Sequence, residues 1–284
     1  MNIFIAILLG AIQGLTEFLP VSSSGHLVLF QKIFGISEPP LFFDTMVHVG
    51  TLVAVFAVLW KDILAILKKI LQPLTAYLVI ATIPTVIVAL IFRKQLEQLF
   101  ESGALLGFSF LATAALLVIA EFLVRRANRA GNTHEGLVVN DNNKNANSMN
   151  WFDALVIGIL QAIAIIPGVS RSGATLSGSL SRGLNRDFAA RFAFLLSIPA
   201  ILGAAVFQFK DLLKGGAVDT VAGAGGTSAA AVIAGTLSAA VVGFFAVRLM
   251  LKIVREKSLW GFAIYTGFLV LLVLIDQFGI HIVF

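Results

Sequence analysis

Six stretches of this chain, roughly 41–60, 74–92, 103–124, 188–207, 228–250 and 259–279, are almost wholly apolar, each with no more than one Asp, Glu, Lys or Arg. Crossing a hydrocarbon core of ~30 Å takes about 20 helical residues. Backbone polar groups in that core must be satisfied within the segment, so each stretch is expected to be a membrane-spanning helix. Composition leaves no competing class. Charged residues make up 12% of the 284, against about 25% in soluble domains, so a soluble fold would have too little polar surface to face water. The expected fold class is an all-α polytopic membrane protein with six full spans.

Two further apolar regions, 2–36 and 151–185, do not fit as spans. Pro20-Val21-Ser22-Ser23-Ser24-Gly25-His26 breaks the first, and Pro167-Gly168-Val169-Ser170-Arg171-Ser172-Gly173 breaks the second. Each arm is too short to cross comfortably. Irregular backbone at membrane depth survives only where protein or a water-filled cavity covers it. Both regions are therefore expected to be re-entrant helix–loop–helix hairpins whose loops meet inside the protein. The breaks are also related to each other. A shift of 148 positions carries Gly10, Gln13, Val21, Ser22, Ser24 and Gly25 onto Gly158, Gln161, Val169, Ser170, Ser172 and Gly173. Three spans follow each hairpin, and an odd number of crossings inverts the second half. The expected plan is an inverted-topology repeat: 1–127, a polar linker at 128–150, and 151–284. Its site should lie where the two broken segments meet.

Loop charge sets the orientation. One side carries most of the Lys and Arg, among them Lys61, Lys68, Lys69, Arg125, Arg126, Lys144, Arg182, Arg248 and Lys252; the other carries Lys32, Arg93, Lys94, Lys210 and Lys214. The richer side is expected to be cytoplasmic. Both termini and the mouth of the first hairpin then face outward, with the linker inside. The stretch from Asn2 has neither a basic leader nor a small-residue cleavage site, so no signal peptide is expected. With no cysteine, disulfides and thiolate metal sites are excluded. No basic stripe with interleaved aromatics suggests nucleic acid as a partner; membrane lipids are expected instead, and a homodimer is left open.

Ionisable groups at membrane depth are costly and functional by default, and they gather at the two breaks. Gln13 and Glu17 are four apart on one helix and point the same way. Ser22, Ser23, Ser24 and His26 follow. In the second break Arg171 stands between Ser170 and Ser172, with Thr175 just beyond. A Ser/Gly/Pro cluster in one apolar helix is commonly a kink or a packing site. Glu, His and Arg falling on two repeat-related loops outweighs that reading. The set suits phosphoryl transfer, which asks mainly for positioning and charge stabilisation. Arg171 can clamp a phosphate. Ser22, Ser24, Gly25, Ser170, Ser172, Gly173 and Thr175 are the expected phosphate contacts, helped by the helix start after each loop. Ser23 or His26 could attack phosphorus, and Glu17 could act as base or hold a divalent cation. Asp44 and His48 share a helix face and are read as supporting residues or a structural pair. Glu121, near a span end, is expected to reach toward the interface.

The motif Gln13-Gly14-Leu15-Thr16-Glu17-Phe18-Leu19-Pro20-Val21-Ser22-Ser23-Ser24-Gly25-His26 and the motif Pro167-Gly168-Val169-Ser170-Arg171-Ser172-Gly173-Ala174-Thr175 resemble the signatures of the undecaprenyl-diphosphatase family, also called bacitracin-resistance proteins. Phe43-Asp44 and His48-Val49-Gly50-Thr51-Leu52 fit as well. The resemblance covers essentially the whole chain. It implies a bacterial inner-membrane enzyme that hydrolyses undecaprenyl diphosphate to the monophosphate and inorganic phosphate, recycling the carrier for cell-wall synthesis. It also implies a divalent cation, Mg2+ or Ca2+, and functional roles at Glu17, Ser23, His26 and Arg171. One departure stands out: the family often has Glu where this chain has Gln13, so a two-carboxylate metal site is not expected here.

The rival reading is a transporter or flippase of a phosphate-bearing lipid or anion, since inverted repeats with broken helices are the layout of secondary transporters. A carrier needs Arg171 and the helix ends but not a nucleophile with a base. Of the two nucleophiles the preferred one is Ser23 with His26 as its partner, because that leaves Glu17 for the cation.

Overall fold

The computed structural model describes residues 1–36, 41–131, 144–214 and 227–283. Among these the chain is helical throughout, apart from turns and one isolated bridge between Lys144 and Leu184. In order the helices are α1 (Ile3–Thr16), α2 (Ser23–Ile33), α3 (Leu41–Val58), α4 (Trp60–Lys68), α5 (Pro73–Ile91), α6 (Arg93–Ser102), α7 (Leu106–Gly131), α8 (Trp151–Ile163), α9 (Arg171–Ser181), α10 (Arg186–Lys214), α11 (Ala229–Glu256) and α12 (Trp260–Ile275), which runs on into a π-helical turn, Asp276–Ile280.

Five of these, α5, α7, α10, α11 and α12, are long and apolar enough to cross a membrane. The pair α3–α4 passes the same test together but bends by 77° at Leu59. The protein is thus a polytopic membrane protein with up to six spans, matching the six apolar stretches. α1 and α8 are apolar but have only 14 and 13 residues, too short for ~30 Å at 1.5 Å per residue. Outward-facing Val79, Ile83, Val86 and Leu90 on α5, and Ile233, Leu237, Val241 and Phe245 on α11, are exposed. On a membrane protein such faces meet lipid.

Small residues decide which helices touch. With lipid as apolar as leucine, helix association rests on close van der Waals fit. A Cβ on Gly10 would stand 2.1 Å from the Gly235 carbonyl oxygen, and one on Gly14 would stand 2.6 Å from that of Ala239. A Cβ on Gly50 would reach the Thr236 oxygen at 2.4 Å. α1 and α3 are therefore seated on α11 with backbones nearly in contact. The same device recurs elsewhere: a Cβ on Gly158 would meet the Ala81 oxygen at 2.5 Å, seating α8 on α5. One turn on, Gln161 Nε2 donates to Thr85 Oγ1 at 2.9 Å.

Further ionic groups cluster away from the two breaks. Asp153, fully buried at the start of α8, accepts from Lys144 Nζ at 2.7 Å and from Arg182 Nε at 2.8 Å. Of the polar stretch 128–150, α7 continues to Gly131, residues 132–143 lie outside the described residues, and 144–150 fold against α8 and Leu184. Glu121 does not reach for an interface. It is buried and accepts from Arg186 Nη2 at 3.0 and 3.1 Å and from the Leu259 N–H at 3.2 Å. The reason is tertiary: the starts of α10 and α12 converge on it, which its own helix does not announce.

Candidate active site

The two breaks meet, and hydrogen bonds join them. Gly168 N–H donates to Ser24 Oγ at 3.2 Å, and Ser172 Oγ donates to the Leu19 carbonyl at 2.9 Å. Each loop ends in the same way, with a serine capping the next helix. Ser22 Oγ accepts from Gly25 N–H at 3.1 Å at the start of α2, and Ser170 Oγ accepts from Gly173 N–H at 3.0 Å at the start of α9. Such caps satisfy donors that a helix start leaves open. Ser170 N–H in turn donates to Thr113 Oγ1 on α7 at 2.9 Å.

Glu17 is the hub. It directly follows the last turn of α1 and is 6% exposed. Gln13 Nε2 donates to its Oε2 at 2.9 Å, as four-residue helical spacing dictates. Ser23 Oγ donates to the same oxygen at 2.5 Å, and Arg171 Nη2 donates to Oε1. His48 Nε2 lies 3.7 Å from Oε2. Ser23, Ser24, Arg171 and Ser172 are only partly buried, so a ligand can reach them.

The expected partnership of Ser23 with His26 is not what the fold builds. His26 is 2% exposed, and both its ring nitrogens are engaged elsewhere: Nδ1 with the Ser22 carbonyl at 2.6 Å and Nε2 with the Tyr265 hydroxyl at 2.8 Å. The turn from Glu17 to Ser22 folds back, so the serine meets the carboxylate six residues before it rather than the imidazole three residues after. Several expected phosphate contacts also turn out to build the loops. Ser22, Ser170 and Thr175 are buried; the first two are caps, and Thr175 Oγ1 donates to the Arg171 carbonyl at 2.9 Å. The N–H groups of Gly25 and Gly173 are spent on those caps. Asp44 and His48 do not form one unit through their side chains. Asp44 Oδ1 accepts from Gln31 Nε2 at 2.7 Å, whereas His48 donates from Nδ1 to the Asp44 carbonyl and faces Glu17.

Two residues of the site carried no local signal. Tyr265 lies in the last span, 239 positions from His26. Thr113 lies in α7. Each is one polar group in an apolar helix, and only the tertiary fold reveals its target.

Among the described residues no group of three or more His, Asp or Glu side chains is arranged to hold a metal. Gln13 Oε1 is nevertheless buried without a hydrogen-bond partner, beside the Glu17 carboxylate. A hydroxyl held on a carboxylate, with a guanidinium across from it, is the equipment for nucleophilic attack on an anionic electrophile.

The family described as bacitracin resistance protein BacA matches residues 6–272. A protein named undecaprenyl-diphosphatase from Carboxydothermus hydrogenoformans is 44% identical, over 98% of this chain and 98% of its own length. One of the same name from Alkaliphilus metalliredigens is 40% identical, over 94% of this chain and 95% of its own length. Undecaprenyl-diphosphatase 4 of Bacillus thuringiensis subsp. konkukian is 40% identical, over 98% of both.

Proposed function

The chain belongs to the bacitracin resistance protein BacA family and is a membrane-embedded undecaprenyl-diphosphatase; we propose that Ser23 is its nucleophile, Glu17 the base and Arg171 the phosphate clamp. The observation that carries this reading is the 2.5 Å bond from Ser23 Oγ to Glu17 Oε2, with Arg171 on the other oxygen. A serine hydroxyl is a weak nucleophile until a base takes its proton. A lipid carrier would need Arg171 but not this pair.

Ser23 Oγ attacks the terminal phosphorus while its proton passes to Glu17. The new Oγ–P bond forms as the bond to the bridging oxygen breaks, and the electron pair leaves with undecaprenyl phosphate. Arg171 exchanges Glu17 for the phosphate oxygens and neutralises charge as it develops. Glu17 gives that proton to the departing phosphate oxygen and, a carboxylate again, takes one from the water that attacks the phosphoserine. The P–Oγ bond breaks, Glu17 returns the proton to Ser23 Oγ, and inorganic phosphate leaves. A divalent cation, Mg2+ or Ca2+, fits the donor chemistry only as an ion shared with substrate, which Glu17, the orphaned Gln13 Oε1 and phosphate oxygens would hold. Bound there, it would supply further charge neutralisation on the diphosphate.

The architecture we propose is an inverted-topology repeat with two re-entrant hairpins, 1–127 and 151–284 around the polar stretch 128–150. The matched caps at Ser22 and Ser170 support it. So does matched packing: Gly10 on α11, the second span of the second half, and Gly158 on α5, the second span of the first. Loop charge supports termini and site mouth on the outer face of a bacterial inner membrane. Trapping with labelled substrate tests the chemistry. An acid-stable phosphoserine that disappears in Ser23→Ala is expected; an acid-labile adduct on His26 that persists in Ser23→Ala would overturn the assignment.

A further inference from the structure

Ser22 has φ +72° and ψ +97°, and apart from His281 at the chain's end it is the only described non-glycine residue with positive φ. A side chain makes this region costly, and such strain persists only where the surroundings over-determine it. In the second loop the positive φ falls on Gly168, at +88°, where it costs little. The first loop instead carries its positive φ on a serine, directly before Ser23, although Ser170, its counterpart in the 148-residue correspondence, has φ −70°. Serine supplies the Oγ that caps α2, so the strain needs another support.

That support comes from the far end of the chain. The Ser22 carbonyl can only accept, so the proton of the 2.6 Å contact with His26 sits on Nδ1. In the neutral ring Nε2 then carries a lone pair, and the Tyr265 hydroxyl donates to it at 2.8 Å. The two rings also stack, with centroids 5.8 Å apart and planes 12° from parallel, and the Phe110 ring packs against His26 edge to face, with centroids 5.7 Å apart. Phe110 presses on the same turn: a Cβ on Gly25 would lie 2.7 Å from its Cζ. A single hydrogen-bonded line thus runs from α12 to the residue that aims Ser23 at Glu17.

We propose that Tyr265 is a positioning residue for hydrolysis: through the His26 ring it holds Ser22 in its strained conformation and so fixes the Ser23 hydroxyl on Glu17. The inference rests on Ser23 being the nucleophile. His26 serves as a strut, one imidazole passing a hydrogen bond from a phenol to a carbonyl, and takes no proton from Ser23. Tyr265 itself does not touch substrate.

The test is Tyr265→Phe, which keeps the stacked ring and removes only the donor. Turnover of undecaprenyl diphosphate should fall about tenfold, the value of one hydrogen bond realised in the aligned state. KM should stay within about twofold, because uniform substrate binding is untouched. Unchanged turnover, or a raised KM with unchanged kcat, would overturn the proposal. A second measurement does not depend on Tyr265→Phe. With ¹⁵N-labelled histidine in the wild-type protein, and His26 assigned by His26→Gln, the His26 signals should report a protonated Nδ1 and a bare Nε2. A protonated Nε2 in the resting enzyme would refute the line of hydrogen bonds outright. These readouts separate the two ideas. An adduct that survives Ser23→Ala removes the nucleophile assignment, whereas the His26 signals judge the strut by themselves.

Discussion

Replacing Glu17 by Gln is the most informative single change, because it keeps the shape of the hub and removes its charge and basicity. Glu17 accepts from three donors: Arg171 on one oxygen, and Ser23 and Gln13 on the other. An amide has one oxygen. If its NH2 group takes the Oε1 place it faces the guanidinium; in the Oε2 place it faces Gln13, whose amide must flip to accept from it. Either way, Arg171 loses its counter-charge at a buried position. Breaking a fully buried ion pair costs about 3–5 kcal/mol. Arg171 is 23% exposed, and solvent screening brings the expected stability loss nearer to about 2 kcal/mol. The catalytic loss is larger. A positioned base contributes about 10²–10⁴-fold, equivalent to about 3–5 kcal/mol of barrier. Phosphate release from purified enzyme in detergent, at saturating undecaprenyl diphosphate, measures the second effect. Thermal unfolding followed by tryptophan fluorescence measures the first. A folded Glu17→Gln enzyme retaining more than a tenth of wild-type turnover would refute Glu17 as the base.

Arg171→Lys should fold and yet lose about 2–4 kcal/mol of transition-state stabilisation, because a point charge cannot make two parallel bonds to phosphate; near-normal turnover would remove the clamp. Gly10→Ala should lower the unfolding temperature markedly, since the new methyl would lie 2.1 Å from a carbonyl oxygen and overpacking costs about 1–3 kcal/mol or more. Gly261→Ala, where a Cβ would meet nothing within 4 Å, should leave the melting curve in place, and equal melting of the two variants would contradict the close packing of α1 on α11. Asn147 is exposed, and the chain has no cysteine of its own. Asn147→Cys should resist a membrane-impermeant thiol reagent in intact cells and react after permeabilisation; labelling of intact cells would reverse the proposed orientation.

What the sequence makes legible here follows from what is local. The spans are readable because hydrocarbon imposes length and polarity on each segment separately. Gln13 and Glu17 are readable as neighbours because a helix repeats every 3.6 residues. Ser22 and Ser170 read as phosphate contacts, and their capping role appears only once the start of each helix is fixed. What escapes is set by the turns and by tertiary contact. Ser23 could have met His26 or Glu17, and only the path of residues 17–22 decides. Tyr265 and Thr113 look like solitary polar groups in apolar helices until α12 and α7 are laid against the loops. Glu121 is the sharpest case. A carboxylate near the end of a span reads as solvated, yet Arg186 and the Leu259 N–H close over it.

The 148-residue correspondence has a chemical consequence under the inverted-repeat reading. It pairs Ser23 with Arg171, since 23 + 148 = 171. The proposed nucleophile and the proposed clamp thus occupy equivalent places, each the first residue of the helix after a serine cap. A pseudo-two-fold arrangement brings equivalent positions face to face. Two arginines there would repel at membrane depth, and two serines would leave the diphosphate charge unanswered. Divergence at this one pair resolves both problems, because one loop supplies the attacking oxygen and the other the positive charge. The rest of the asymmetry follows the same division. Glu17 corresponds to Ile165 and His26 to Ala174, so the base and the strut exist only on the side that carries the nucleophile. Gln13 and Gln161 remain identical, and each keeps a buried, unpartnered Oε1. Only the first lies beside a carboxylate; the second donates to Thr85 and serves the packing of α8 on α5. On that reading, one hairpin scaffold used twice would become a catalytic half and a binding half through substitutions at a few loop positions.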